Sequence, residues 1–190
     1  QGITGRATAD PLAATTADLD KASNKSFDQL LSAQQADHQQ YYKRVSIKLP
    51  TTENSACATD VRLKKYAEGN EDPALAALFF NMGRYLIISS SRPGELPANL
   101  QGVWAEEVHT MWNGDYHFNI NTQMNYWLTM PCNLIEMNEP MINFIGSLVE
   151  PGTKTAEAYY NTRGWIAHRL TNVWGYTSPA GMDIGGAAWL

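Results

Sequence analysis

Between Asp115 and Trp127 the chain crowds three asparagines, a glutamine, an aspartate and a histidine among four aromatic residues. Each carboxamide has a donor side and an acceptor side, and each ring has an apolar face. Neutral amides beside flat rings suit a ligand with many hydroxyls and a few C–H faces, the surface of a sugar. The run is too polar for an ordinary core helix and too aromatic for an ordinary loop. On a helix starting near His117, Asn121 and Asn125 share a face and His117 lies one turn earlier. Asn119 points elsewhere on a regular helix; placed in or just before the first turn, it reaches the same small ligand as Asn121. The spacing equally suits a buried amide network between helices, and by itself leaves both readings open.

The other chemistry-bearing residues are less organised. Glycoside hydrolysis usually uses two carboxyl groups flanking the bond. The carboxylate pairs here are Glu106-Glu107, adjacent in a loop, and Glu136/Glu139 at a helix start. Both read as solvated surface, since Glu is rarely buried. Asp115 is placed to cap a following helix or to bind a hydroxyl. His109 and His168 read as structural. No two histidines have metal-ligand spacing, and there is no HExxH, GxSxG, phosphate loop or dinucleotide fingerprint. The sequence therefore implies neither metal nor cofactor. Cys57 and Cys132 fit neither a disulfide framework nor a zinc site and read as two free thiols.

The elements that must position these residues are helical. Residues 11–23 read as a short helix. Ser26 with Gln29 three residues on forms a capping box for a second. Its apolar face begins with Phe27, Leu30 and Leu31 and finishes with Tyr41, Tyr42 and Val45. Val45, Ile47 and Leu49 alternate before Pro50, which predicts a brief extended piece. Residues 51–58 read as loop and Asp60 to Glu68 as a helix closed by Gly69. Asp72-Pro73 predicts an N-cap and first helical residue. Ala74 to Ile88 is apolar almost all round, which predicts a helix buried on every side. Pro93 ends it. Residues 95–116, with Trp104 and Trp112, form a loop long enough to imply function. His117 to Met130 reads as helix stopped by Pro131. Pro140 opens an amphipathic helix, and Pro151 to Asn161 forms another, ending near Gly164. Trp165, His168 and Trp174 then share a loop, and a last helix starts near Gly185-Gly186.

Composition bounds the class. The 190 residues, 44% hydrophobic and 17% charged, are enough for one domain with a real core. A net charge of −5 argues against nucleic acid or an anionic membrane as the main partner. No apolar run reaches the roughly 18–20 residues of a bilayer span. All six tryptophans lie between Trp104 and Trp189, suggesting a supporting segment followed by a site-bearing one. The chain does not begin with Met, shows no signal peptide, and ends in Ala187-Ala188-Trp189-Leu190 with no helix stop. It reads as a piece of something larger.

Three blocks in order resemble glycoside hydrolase family 95: Arg84 through Ser91-Arg92-Pro93-Gly94, Leu96 through Gln101-Gly102-Val103-Trp104, and Asp115-Tyr116-His117 through Asn125-Tyr126-Trp127. The turn Arg163-Gly164-Trp165 and the end Gly185 to Leu190 also look like the family, and weaker likeness runs from about Ser26 to Leu190. The resemblance implies an all-α fold, part of a truncated (α/α)6 barrel, with linker helices in 1–58 and the first half of the catalytic domain in 59–190. It implies a fragment of an inverting α-L-fucosidase, secreted or periplasmic, acting on a fucosylated oligosaccharide or glycan; some members take L-galactosides. Family members hold the attacking water on an Asn-x-Asn pair, which Asn119 and Asn121 match. His117 matches a sugar-contacting position that leans toward L-fucose. Trp104, Trp112 and Trp174 are candidate sugar-stacking residues, core packing being the alternative. The family's base-side Asp and general-acid Glu have no counterpart in these residues. The isolated chain is therefore expected to be inactive, to depend on the remaining domains of its parent, and to self-associate through exposed apolar helices. The reading from another class is a helical sugar-binding or structural module without chemistry of its own.

Overall fold

The computed structural model describes residues 10–180. These residues are mostly helical. Seven α-helices are described: α1 Pro11–Ser23, α2 Phe27–Tyr42, α3 Thr59–Ala67, α4 Pro73–Ser90, α5 Asn121–Tyr126, α6 Glu139–Ser147 and α7 Val149–Tyr160. A two-stranded ribbon joins β1 Tyr116–His117 to β2 Leu170–Thr171. The strands are antiparallel, with Tyr116 opposite Thr171 and His117 opposite Leu170. The predicted final helix near Gly185 lies outside the described residues.

The local signals of the first half act where the sequence puts them. Asp10 caps α1, its side chain accepting from Leu12 N and Ala13 N, with Pro11 at the first helical position. The Ser26/Gln29 capping box of α2 is complete. Gly69, at φ +94°, follows α3 in the left-handed backbone that glycine adopts without strain. The Val45–Leu49 stretch forms no strand; it runs as irregular chain.

Asp72 is the N-cap residue of α4, with Pro73 first in the helix as expected, but it makes no side-chain cap hydrogen bond. Instead its carboxylate receives Arg62 Nε at 2.7 Å and Arg62 Nη2 at 3.0 Å, with Ser55 Oγ at 3.1 Å. A bidentate arginine is a stronger partner than an amide, so Asp72 ties α3 to the start of α4.

The helix α4 is not buried on every side. Ile87 and Ile88 face the core, whereas Phe79 is 81% exposed and Leu78, Met82, Tyr85 and Leu86 are exposed too. Its buried polar residues are Arg84, 1% exposed, and Ser90 near its end. An all-apolar helix needs partners all round, and among the described residues α4 has them on one face.

The core joins Ile87 and Ile88 of α4 to Tyr116 of β1, Tyr126 of α5, and Met141 and Phe144 of α6. Pro140 stands in the first turn of α6 as expected, but Ile142 of its predicted apolar face is exposed. Leu148 alone separates α6 from α7 and is fully buried. Asn161, left-handed at φ +48°, ends α7 before Gly164.

The helix expected over His117 to Met130 shrinks to α5. Tyr116 and His117 are drawn into the ribbon, and Phe118 N extends the pairing by donating to Arg169 O at 2.7 Å. Backbone committed to a cross-strand ladder is extended and cannot also be helical. Turns replace the helix after Trp127, with Asn133 at φ +54°.

Candidate active site

The asparagine pair stands where ribbon turns into helix. Phe118, fully buried, pins the end of the ribbon in the core. Gln123 reaches back, its Nε2 donating to Phe118 O at 2.7 Å, and fixes the turn. Thr122 and Tyr126 fasten α5 from inside. Asn119 lies in the turn and Asn121 is the first residue of α5. Both are exposed, and neither carboxamide has a hydrogen-bond partner among the described residues. The buried amide network is thus not what these two residues form. Asn125 differs: its Nδ2 donates to Asn99 O at 3.3 Å, tying α5 to the long loop. With His117 in a strand, the helical stripe through His117, Asn121 and Asn125 does not exist.

His117 is 7% exposed, and its Nε2 is buried without a partner. Trp112 meets the ring edge-on at 5.5 Å between centroids. Trp112, Asn113 and Gly114 are consecutive left-handed residues, a tight turn that brings the indole back over the ribbon. Burial lowers the His117 pKa from 6.5; nearby Asp115 opposes this and Arg169 reinforces it. A neutral imidazole offers one donor and one acceptor, the complement of a hydroxyl. Asp115 is partly buried, and burial raises its carboxyl above the ordinary value, against the pull of His117 and a hydrogen bond to Asn113. Arg169 is a neighbour of His117 that only the β1–β2 pairing brings there; no spacing in the sequence signals it.

The remaining candidates are dispersed. Trp104, half-exposed, lines a cavity of about 370 Å³ with Gly83, Ser90, Asn99, Gln101 and Asn125. Its ring fills the place where a side chain on Gly102 would stand, 2.5 Å from an ideal Cβ. Trp174 lines a different cavity of about 410 Å³ with Glu95, Pro97, Asn143 and Phe144. His117, Asn119 and Asn121 line neither. The long loop is ordered by its own bonds: Gln101 N donates to Asn99 Oδ1 at 2.8 Å, and Gln101 Nε2 donates to Met111 O.

The carboxylate pairs read as surface find that setting here. Glu106, Glu107 and Glu139 are exposed. Glu136 pairs with Arg44 at 2.9 Å, which lowers its pKa. His168 is structural: its Nδ1 lies 2.6 Å from Thr177 O and its Nε2 2.7 Å from the Tyr160 hydroxyl. Cys57 and Cys132 are free thiols. Among the described residues no group of three or more His, Cys, Asp or Glu is placed to hold a metal ion. No described helix is long and apolar enough to cross a membrane.

Residues 26–190 match the glycosyl hydrolase family 95 catalytic domain. The chain is 40% identical over 169 residues to alpha-L-fucosidase 2 of Arabidopsis thaliana, covering 86% of this chain and 20% of that protein. It is 40% identical over 159 residues to probable alpha-fucosidase A of Aspergillus niger, covering 83% and 20% respectively. The probable alpha-fucosidase A of Aspergillus oryzae is 35% identical over 167 residues, covering 84% and 23%. The chain thus spans about a fifth of the length of the curated relatives it matches.

Proposed function

The chain belongs to glycosyl hydrolase family 95, and from that premise we propose that it forms part of an inverting glycosidase that removes terminal α-L-fucose from glycans. The names of the three relatives support the substrate. The observation that carries the reading is the pair Asn119 and Asn121: two exposed, unengaged carboxamides on backbone anchored by Phe118, Thr122 and Tyr126.

In an inverting mechanism water attacks the anomeric carbon while an acid protonates the departing oxygen. Carboxamides are too weakly basic to take the proton, so Asn119 and Asn121 orient the water and a carboxylate elsewhere in the parent supplies the basicity. His117, its pKa lowered by burial, makes one hydrogen bond to a sugar hydroxyl through one ring nitrogen. Trp104 and Trp174 offer ring faces to a glycan at their own, separate cavities. Residues 1–58 serve as linker helices and connecting segment, and 59–190 as the first half of an (α/α)6 barrel whose later helices cover the exposed face of α4. The parent is secreted or periplasmic.

The test is Asn121→Ala in the full-length enzyme, assayed on 2′-fucosyllactose. Loss of water orientation should lower kcat by about a hundredfold or more. Activity within a few-fold of the parent would show that Asn121 does not hold the water.

A further inference from the structure

The helix α2 has no buried residue of its own; it docks on α4, with Tyr41 partly buried against the core. That docking is built from two arginines and a set of rings. Arg84 Nη2 donates to Tyr42 O at 2.6 Å and Arg84 Nη1 to Val45 O at 2.9 Å. Carbonyls at a helix C-terminus lack intrahelical donors and carry partial negative charge, which suits a guanidinium. The Arg84 guanidinium also lies over the Tyr42 ring, 4.9 Å from its centroid. Arg92, just beyond α4, pairs with Asp37 and lies 4.3 Å over Tyr41.

His38 is set into this junction. It is half-buried, stacked on Tyr42 at 5.3 Å and tilted against Tyr85 at 5.7 Å. The charged and titratable groups around it are Asp37, Tyr41 and Tyr42 from α2, Arg84 and Tyr85 from α4, and Arg92 after α4. Asp37, the one carboxylate in that set, is already engaged by Arg92. A proton on His38 would add a cation beside Arg84 and Arg92, with Arg44, itself paired to Glu136, over Tyr41 as well. A tyrosine face attracts a cation, but Arg84 already lies over the Tyr42 ring, so a second positive group at that ring meets its repulsion.

We propose that His38 makes the α2–α4 junction an acid-released latch, closed while the imidazole is neutral and opened when it takes up a proton. Burial, then Arg92, lowers the His38 pKa from 6.5; Asp37 opposes and Arg84 adds to the lowering. With the docked pKa below the undocked one, the undocked state binds more protons. Docking strength is therefore complete above the undocked value and falls as pH drops through the range below it.

Hydrogen–deuterium exchange of the full-length protein between about pH 7.5 and about pH 5, corrected for intrinsic exchange, tests this. Protection of 27–42 should fall by up to about tenfold per pH unit through the transition, while α6 holds. His38→Phe keeps a ring in place without a titrating proton, and its α2 should show no such fall. An equal fall in His38→Phe, or none in the unsubstituted protein, overturns the latch. Should His38→Phe not fold, Arg92→Gln decides: it removes one cation and releases Asp37, so the transition should move to higher pH. An unchanged midpoint overturns the proposal.

Discussion

Tyr126 and Ser91 form the centre of a hydrogen-bond chain with one direction. Ala98 N donates to the Tyr126 hydroxyl at 2.8 Å, and that oxygen lies 2.7 Å from Ser91 Oγ. Ser91 Oγ donates at 2.9 Å to Met137 O. With the serine proton committed to Met137, the tyrosine hydroxyl donates to Ser91. The chain locks the end of α4, the start of the long loop, α5 and the segment before α6 together at one buried point.

Tyr126→Phe removes the middle of that chain and leaves the buried Ala98 N–H without an acceptor. Leaving a buried donor unpaired costs about 1–3 kcal/mol. Urea unfolding should show a loss of that size. Because Ala98 begins the segment that carries Trp104, the loop should also exchange its amides faster than in the parent.

The Arg62–Asp72 pair predicts an acid limb in stability. Arg62 lowers the Asp72 carboxyl below its ordinary 3.8, with burial opposing and Ser55 assisting. A depressed folded-state pKa gives stability that is present above 3.8 and lost as pH falls through the folded-state value. Asp72→Asn should therefore melt lower than the parent near neutral pH, with the difference closing in acid below that range. Thermal melts across pH check it; a constant difference at every pH would exclude the pair as its source.

Gly152 is where α7 meets the chain leading to β2. A Cβ there would stand 2.7 Å from Ile166 O and 3.2 Å from Ile166 N, both backbone atoms. Ile166 N also donates to Gly152 O at 3.2 Å. Neither side can yield by a rotamer change. Gly152→Ala should destabilise by about 1–3 kcal/mol, as overpacking of a close contact does. Denaturant titration measures it, and Gly83→Ala, with open space at its Cβ, is the control.

Phe79, Leu78 and Met82 of α4 line an apolar groove of about 800 Å³ with Leu63 and Tyr66 of α3. Adjoining exposed apolar side chains of this kind favour association. The 190-residue chain alone should self-associate, and Phe79→Glu should shift it toward monomer. Sedimentation velocity over a concentration series reads both; a stable monomer of the unsubstituted chain would contradict the expectation.

The sequence determined what local rules govern. The Ser26/Gln29 box, Pro11, Pro73 and Pro140 set helix starts because capping and φ restriction act within a few residues. The three motif blocks identified the family because residue type and order survive without coordinates. The tertiary structure decided everything that depends on partners distant in the chain. It put His117 in a ribbon because Phe118 N finds Arg169 O and Tyr116 stands opposite Thr171, a pairing that no periodicity announces. It gave the side chain of Asp72, the N-cap residue of α4, to Arg62, and buried Arg84 against the carbonyls of α2. It also left Asn119 and Asn121 exposed on anchored backbone. Amide spacing alone suits a buried network as well as an open site, and only packing around Phe118 and Tyr126 decides whether those amides are buried.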